Sequence, residues 1–145
     1  MRRAVLGFVV LVVAFASPTA AEERVLGAWT VRERPDIMTD KRTCTAWHTS
    51  TRGVWMTADA LFIGPPGGIA LFRYRVGEEP VRDRLPTPRE KAAGVVQIDG
   101  QNLSRVIEAG RLRVQILTIL RTPFEADIDL SNGNEVRQAV QECSR

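Results

Sequence analysis

The chain is poor in the side chains that most reaction centres are built from. Its 145 residues include one histidine, one tyrosine and two cysteines. With His48 alone, a two-histidine metal site is excluded, and the neighbouring Thr49 and Ser50 are poor zinc ligands. Ser-His-Asp or Cys-His catalysis would need His48 as its base, with a nucleophile and an orienting acid set by a motif, and no motif supplies them. His48 therefore reads as a surface or hydrogen-bonded polar residue of a strand. Neither Cys44 nor Cys143 has a C-x-x-C partner or a nearby histidine, which redox or zinc chemistry would want. Gly64-Pro65-Pro66-Gly67-Gly68 lacks the following Lys-Ser/Thr and the helix start of a phosphate loop, so it reads as turn chemistry. Internal repeats and low-complexity tracts are absent as well. No catalytic, cofactor-binding or metal-ligating residue is assigned, and the expectation is a protein that is not an enzyme.

One apolar run stands out. Met1-Arg2-Arg3 precedes thirteen apolar residues, Ala4 to Ala16, and small residues up to Ala21. Residues 1–21 are expected to be a secretory signal peptide, too short for a comfortable membrane span, with 22–145 a single β domain. No cysteine stands at the cleavage point to carry a lipid, so no stable membrane anchor is expected after cleavage. The signal takes Arg2 and Arg3 with it, leaving 18 of 20 Lys+Arg against 17 Asp+Glu, a net charge of +1 rather than +3. With both signs interspersed, nothing points to nucleic acid. An oxidising destination, periplasmic or secreted, favours pairing of Cys44 with Cys143. Closing a loop of ~100 residues is worth ~4–5 kcal/mol in the chain-entropy account.

The mature chain reads as short strands. A polar lead-in precedes a first strand from Gly27 to Arg32, with Trp29 and Val31 on one face. Residues 43–51 have strong β character, with Cys44, Ala46, His48 and Ser50 on one face and Trp47 among threonines on the other; which face is buried stays open. Strands at 58–63 and 69–76 flank the Gly64–Gly68 turn as a hairpin, placing Ala70, Phe72, Tyr74 and Val76 inward and Arg73 and Arg75 outward. Residues 77–91, with three prolines among alternating charges, read as a long connecting loop. A strand at 94–98, the turn dipeptide Asp99-Gly100 and a returning strand at 103–107 follow.

The last quarter is the most plainly written. Residues 111–120 and 124–130 alternate polar and apolar. Setting Leu120 opposite Phe124, and so Ile116 opposite Ile128 and Val114 opposite Leu130, collects the apolar residues on one face around a loop at 121–123. Leu117 and Ile119 then stand on the outer face and need a cover, while Glu125, Asp127 and Asp129 pair across with Arg111 and Arg113. Val136, Ala139, Val140 and Cys143 form one stripe of a helix led by an Asn132/Glu135 capping pair. The fold class expected is mainly β: an antiparallel β-sandwich or open barrel of about seven or eight strands with a short C-terminal helix.

For recognition, Trp47, Trp55 and Tyr74 with Arg52, Arg73 and Arg75 offer aromatic and basic groups of the kind enriched in binding hot spots. The possible binding surface is accordingly Trp47, Trp55, Arg73, Arg75, Leu117 and Ile119. The Gly27-Ala28-Trp29-Thr30-Val31 entry, the early Cys44, the Asp127–Gly133 run and the closing helix with its cysteine resemble the invasion-associated locus B family of small exported bacterial proteins. The resemblance implies a periplasmic or extracellular β-sandwich without enzymatic activity, linked in some pathogens to host-cell invasion. The expected function is binding of a protein or other envelope component, without a cofactor. The alternative is a small secreted inhibitor of a hydrolase, presenting Gly64–Gly68 or residues 82–91 as a protruding loop.

Overall fold

The computed structural model describes residues 23–35, 38–39 and 41–144. The expected signal peptide lies outside the described residues. In order the elements are β1 (Glu23–Leu26), β2 (Trp29–Pro35), β3 (Arg42–His48), β4 (Val54–Met56), β5 (Ala60–Ile63), β6 (Leu71–Val76), β7 (Arg82–Arg84), α1 (Pro88–Ala93), β8 (Val96–Asp99), α2 (Gly100–Glu108), β9 (Arg111–Leu117), β10 (Pro123–Asp129) and α3 (Gly133–Cys143). The strands form two open antiparallel sheets, in the orders β1-β2-β3-β4-β5-β8 and β10-β9-β6-β7. The mainly β class and the C-terminal helix are as the sequence suggests. The strands number ten among the described residues rather than seven or eight, because the lead-in forms edge strand β1 and the short β4 and β7 add two more.

The alternating segments fold as their pattern dictates. In β9, Leu112, Val114 and Ile116 are buried while Arg111, Gln115 and Leu117 are exposed. In β3 the inward face is the one with Cys44, Ala46 and His48, and Trp47 points outward. Trp29, Val31, Leu61, Ile63, Phe72, Leu112, Ile116 and Ile128 join residues of α2 and α3 in one core. Each fully buried side chain of this size contributes ~1.5–3 kcal/mol relative to exposure. Val136, Ala139 and Val140 lay α3 onto β2 and β3, and Cys143 bonds Cys44 across a sequence separation of 99, the two Cα atoms 5.9 Å apart.

Five readings are corrected. Residues 103–107 are not a strand but part of α2. In a strand Leu103, Arg105 and Ile107 would share a face, burying a guanidinium. In a helix Leu103, Val106 and Ile107 go inward together, and Arg105 turns out to ion-pair with Glu79. The strands flanking Gly64–Gly68 do not form a hairpin: β5 pairs with β4 and β8, whereas β6 pairs with β7 and β9. The bend carries the chain from one sheet to the other, anchored where Ile119 N–H donates to the Gly67 carbonyl at 3.2 Å and Ala70 N–H to that of Leu117 at 2.8 Å.

The β9–β10 register sits four residues from the expected one, with Ile116 opposite Phe124, Val114 opposite Ala126 and Leu112 opposite Ile128. An even shift keeps every side chain on its face, so alternation alone cannot fix it. The loop fixes it: buried Thr118 accepts from Thr122 N–H at 3.0 Å, and Arg121 turns through a left-handed conformation (φ 59°), so the strands end before Ile119. Finally, residues 77–91 are not a plain loop but hold β7 and α1. Thr87 and Glu90 form a capping box with Pro88 in the first turn. The Asn132 side chain, by contrast, makes no cap hydrogen bond to α3.

Candidate functional site

Glu90 organises the most built part of the surface. Its carboxylate, 7 % exposed as a residue, accepts four hydrogen bonds. Arg84, at the free edge of the second sheet, donates two at 2.8 Å, Thr87 N–H donates at 2.8 Å, and Gln97 N–H from β8, the free edge of the first sheet, donates at 3.0 Å. One carboxylate thus clasps the open edges of both sheets. Burial by itself would raise its pKa, but the Arg84 and backbone donors more than offset this and hold it at about 2. The Arg84 guanidinium also lies over the Phe72 ring, 5.3 Å from its centre.

Beside this clasp runs a cleft of about 560 Å³. Phe72, Tyr74 and Val76 of β6 and Val106 of α2 give it apolar walls, and Trp55 and Phe62 of the first sheet close another side. The aromatics come as parallel stacks, Phe72 with Tyr74 at 5.0 Å and Trp55 with Phe62 at 5.3 Å between ring centres. Arg84, Arg89 and Arg105 supply cationic groups, Asn102 an amide, and Glu90 and Asp99 carboxylates. Arg84 is committed to Glu90 and Arg105 to Glu79, and Asp99 accepts from the Gln97 amide at 2.8 Å. Arg89 is exposed, and among the described residues neither it nor the Asn102 side chain has a hydrogen-bond or ion-pair partner. An apolar cleft of this size with a few polar groups has the form of a small-molecule site.

The side chains singled out from the sequence are not brought together as one surface. Trp47 and Trp55 do meet, stacked at 5.6 Å on the outer face of the first sheet. With Phe62 they form a cross-strand ladder whose rings cover one another, each pair worth ~0.5–1.5 kcal/mol beyond burial. Arg73, Arg75 and Leu117 belong to the outer face of the second sheet. Arg73 is held by Asp83 and Arg75 by Glu78 and the Glu79 carbonyl. Arg52 is exposed. Leu117 and Ile119, 42 % and 64 % exposed, are not covered by α3; Ile119 and Leu120 lie against Gly68 and Gly67 of the inter-sheet bend. The Glu125, Asp127 and Asp129 row is charge-paired and hydrogen-bonded: Glu125 accepts from Gln115, Asp127 pairs with Arg111, and Asp129 accepts from Ser131 N–H. Arg113 pairs with Glu78 instead of a β10 carboxylate.

His48 is buried in the core, edge-on to Trp29 at 5.0 Å, with Nδ1 3.4 Å from Ser50 Oγ and, among the described residues, no hydrogen-bond partner for Nε2. Burial lowers its pKa below the ordinary histidine value, partly opposed by the Asp129 charge. Among the described residues no group of three or more His, Cys, Asp and Glu side chains is placed to hold a metal ion, and no helix is long and apolar enough to cross a membrane. Comparison with family models, curated proteins and solved structures gives no match to this chain.

The cleft residues Arg84, Glu90, Asn102 and Arg105 escape a sequence reading that takes 77–91 as loop and 103–107 as strand. The signals were present nonetheless. Thr87-Pro88-Arg89-Glu90 has capping-box spacing with proline at its start, and Leu103, Val106 and Ile107 have helical spacing.

Proposed function

We propose that this is a non-enzymatic exported protein that binds a component of the cell envelope, and that the cleft beside Glu90 is its binding site. The observation that carries the reading is the cleft: apolar aromatic walls, and at its rim an arginine and an amide with no hydrogen-bond or ion-pair partner among the described residues. The Cys44–Cys143 disulfide and the apolar run before residue 22 support an oxidising destination. The resemblance to the invasion-associated locus B family supports a periplasmic, non-catalytic role at the sequence level. An inhibitor acting through residues 82–91 gains no support, because that segment is β7 and α1, fastened to both sheets by Glu90.

The test places a photo-crosslinking residue, p-benzoylphenylalanine, at Asn102 on the cleft rim or at Gln115 on the outer face of the second sheet, in the native cells. The expected result is a mature protein shortened by about 21 residues in the exported fraction, with an envelope adduct from position 102 and none from 115. Adducts from 115 alone would move the site away from the cleft. Retention of the full chain in the cytoplasm would remove the export reading.

A further inference from the structure

The chemistry of the walls and rim narrows what the cleft takes. We infer that its ligand is a small aromatic anion: a flat apolar body carrying one carboxylate or phosphate. The inference rests on the cleft being the binding site. Four lining residues are aromatic, Trp55 and Phe62 from one sheet and Phe72 and Tyr74 from the other, in two parallel stacks with interplanar angles of 10° and 9°. Walls built from aromatic rings favour an aromatic guest, because edge-to-face and offset ring contacts add to the area buried. The volume, about 560 Å³, suits one such molecule.

Charge sets the rest. Arg84 answers Glu90 and Arg105 answers Glu79, each through a side-by-side pair of N–H donors, and the Asp99 carboxylate is engaged by Gln97. Asp99 keeps its charge under the neutral Gln97 amide, so three arginines line the cleft against two carboxylates; of the three, Arg89 has no hydrogen-bond or ion-pair partner among the described residues, and the Asn102 amide is available as a further donor. A guanidinium beside an apolar wall attracts an anion, and charge-assisted hydrogen bonds there are stronger than neutral ones. A neutral guest would leave Arg89 without a counter-charge. A cation at the open oxygen of Asp99 would sit near three arginines.

The test uses the full mature protein and three probes sharing one ring system: 2-naphthoate, 2-methylnaphthalene and 2-naphthylmethylamine. Binding is followed by tryptophan fluorescence and by NMR shifts of Phe62, Tyr74 and Asn102. The expected result is saturable binding of naphthoate at least about tenfold tighter than of either other probe. Arg89→Ala should erase most of that difference while the remaining amide spectrum stays unchanged, since the exposed Arg89 side chain has no hydrogen-bond or ion-pair partner among the described residues. Amine or neutral probe binding as tightly as naphthoate, or an anion preference that survives Arg89→Ala, overturns the charge assignment. Dodecanoate shifting the same resonances at least as strongly as naphthoate overturns the aromatic assignment and leaves the cleft as a site for acyl chains. Naphthoate shifts confined to residues outside the cleft overturn both the inference and the reading it rests on.

Discussion

Replacing Glu90 tests the clasp that joins the two open sheets. Its carboxylate takes four hydrogen bonds, two from Arg84 and one each from the Thr87 and Gln97 backbones, while only 7 % exposed. Glu90→Gln keeps the shape but turns an NH₂ group toward donors and removes the charge that Arg84 faces. Folding holds the Glu90 pKa at about 2 against an ordinary 4.5. At ~1.4 kcal/mol per unit this corresponds to ~3 kcal/mol of stability near neutral pH. Mutational losses from breaking such a buried, hydrogen-bonded pair run to ~3–5 kcal/mol. For a domain of this size ~3 kcal/mol lowers the melting temperature by ~10 °C.

The sign with pH follows from the direction of the shift. A carboxyl whose folded pKa is depressed contributes fully above its unfolded value and loses that contribution as pH falls from about 4.5 toward 2. Urea unfolding followed by tryptophan fluorescence, run from pH 7 to pH 2.5 on the native protein and Glu90→Gln, gives both quantities. Other carboxylates also titrate in that window, so the difference between the two proteins is what is read. Asp83→Asn, which removes the exposed Arg73–Asp83 pair, serves as the control and should leave the melting temperature nearly unchanged. A Glu90→Gln protein within ~0.5 kcal/mol of the native one at pH 7, or showing the same acid slope, would refute the clasp.

Three further outcomes are expected. Burial of His48 depresses its pKa, so the unfolded chain takes up the proton first; stability attributable to His48 should fall as pH drops below 6.5, and an NMR titration giving 6.5 or above would contradict this. Reducing the Cys44–Cys143 bond, or the double change to alanine, should cost on the order of 4 kcal/mol given the separation of 99, and a melting temperature indifferent to reductant would count against it. Gly53→Ala should destabilise by ~2 kcal/mol or more, because φ there is +80° and a Cβ would stand 2.4 Å from the Gly64 carbonyl oxygen; a calorimetric loss below ~0.5 kcal/mol would show that the bend relaxes.

By itself the sequence determined what local chemistry can determine. Alternation in 111–120 and 124–130 specified two strands and their buried face, though the strands observed are 111–117 and 123–129, and the 136/139/140/143 stripe specified the closing helix. Two cysteines left only one possible pairing. The carboxylates of β10 were legible as a paired outer face because their spacing of two puts them on one side. Tertiary structure decided whatever depended on partners distant in the chain. The β9–β10 register shifted by four because an even shift costs no change of face, and only the Thr118–Thr122 loop contacts select it. Leu103–Ile107 became helix because a core from two sheets accepts one apolar stripe and rejects Arg105. His48 was buried because the small face of β3, not its threonine face, turned inward. The cleft was the least legible feature of all. Its walls come from β4, β5, β6, β7, β8, α1 and α2, its keystone is a glutamate in a segment that reads as loop, and no stretch of sequence states that two sheet edges meet there.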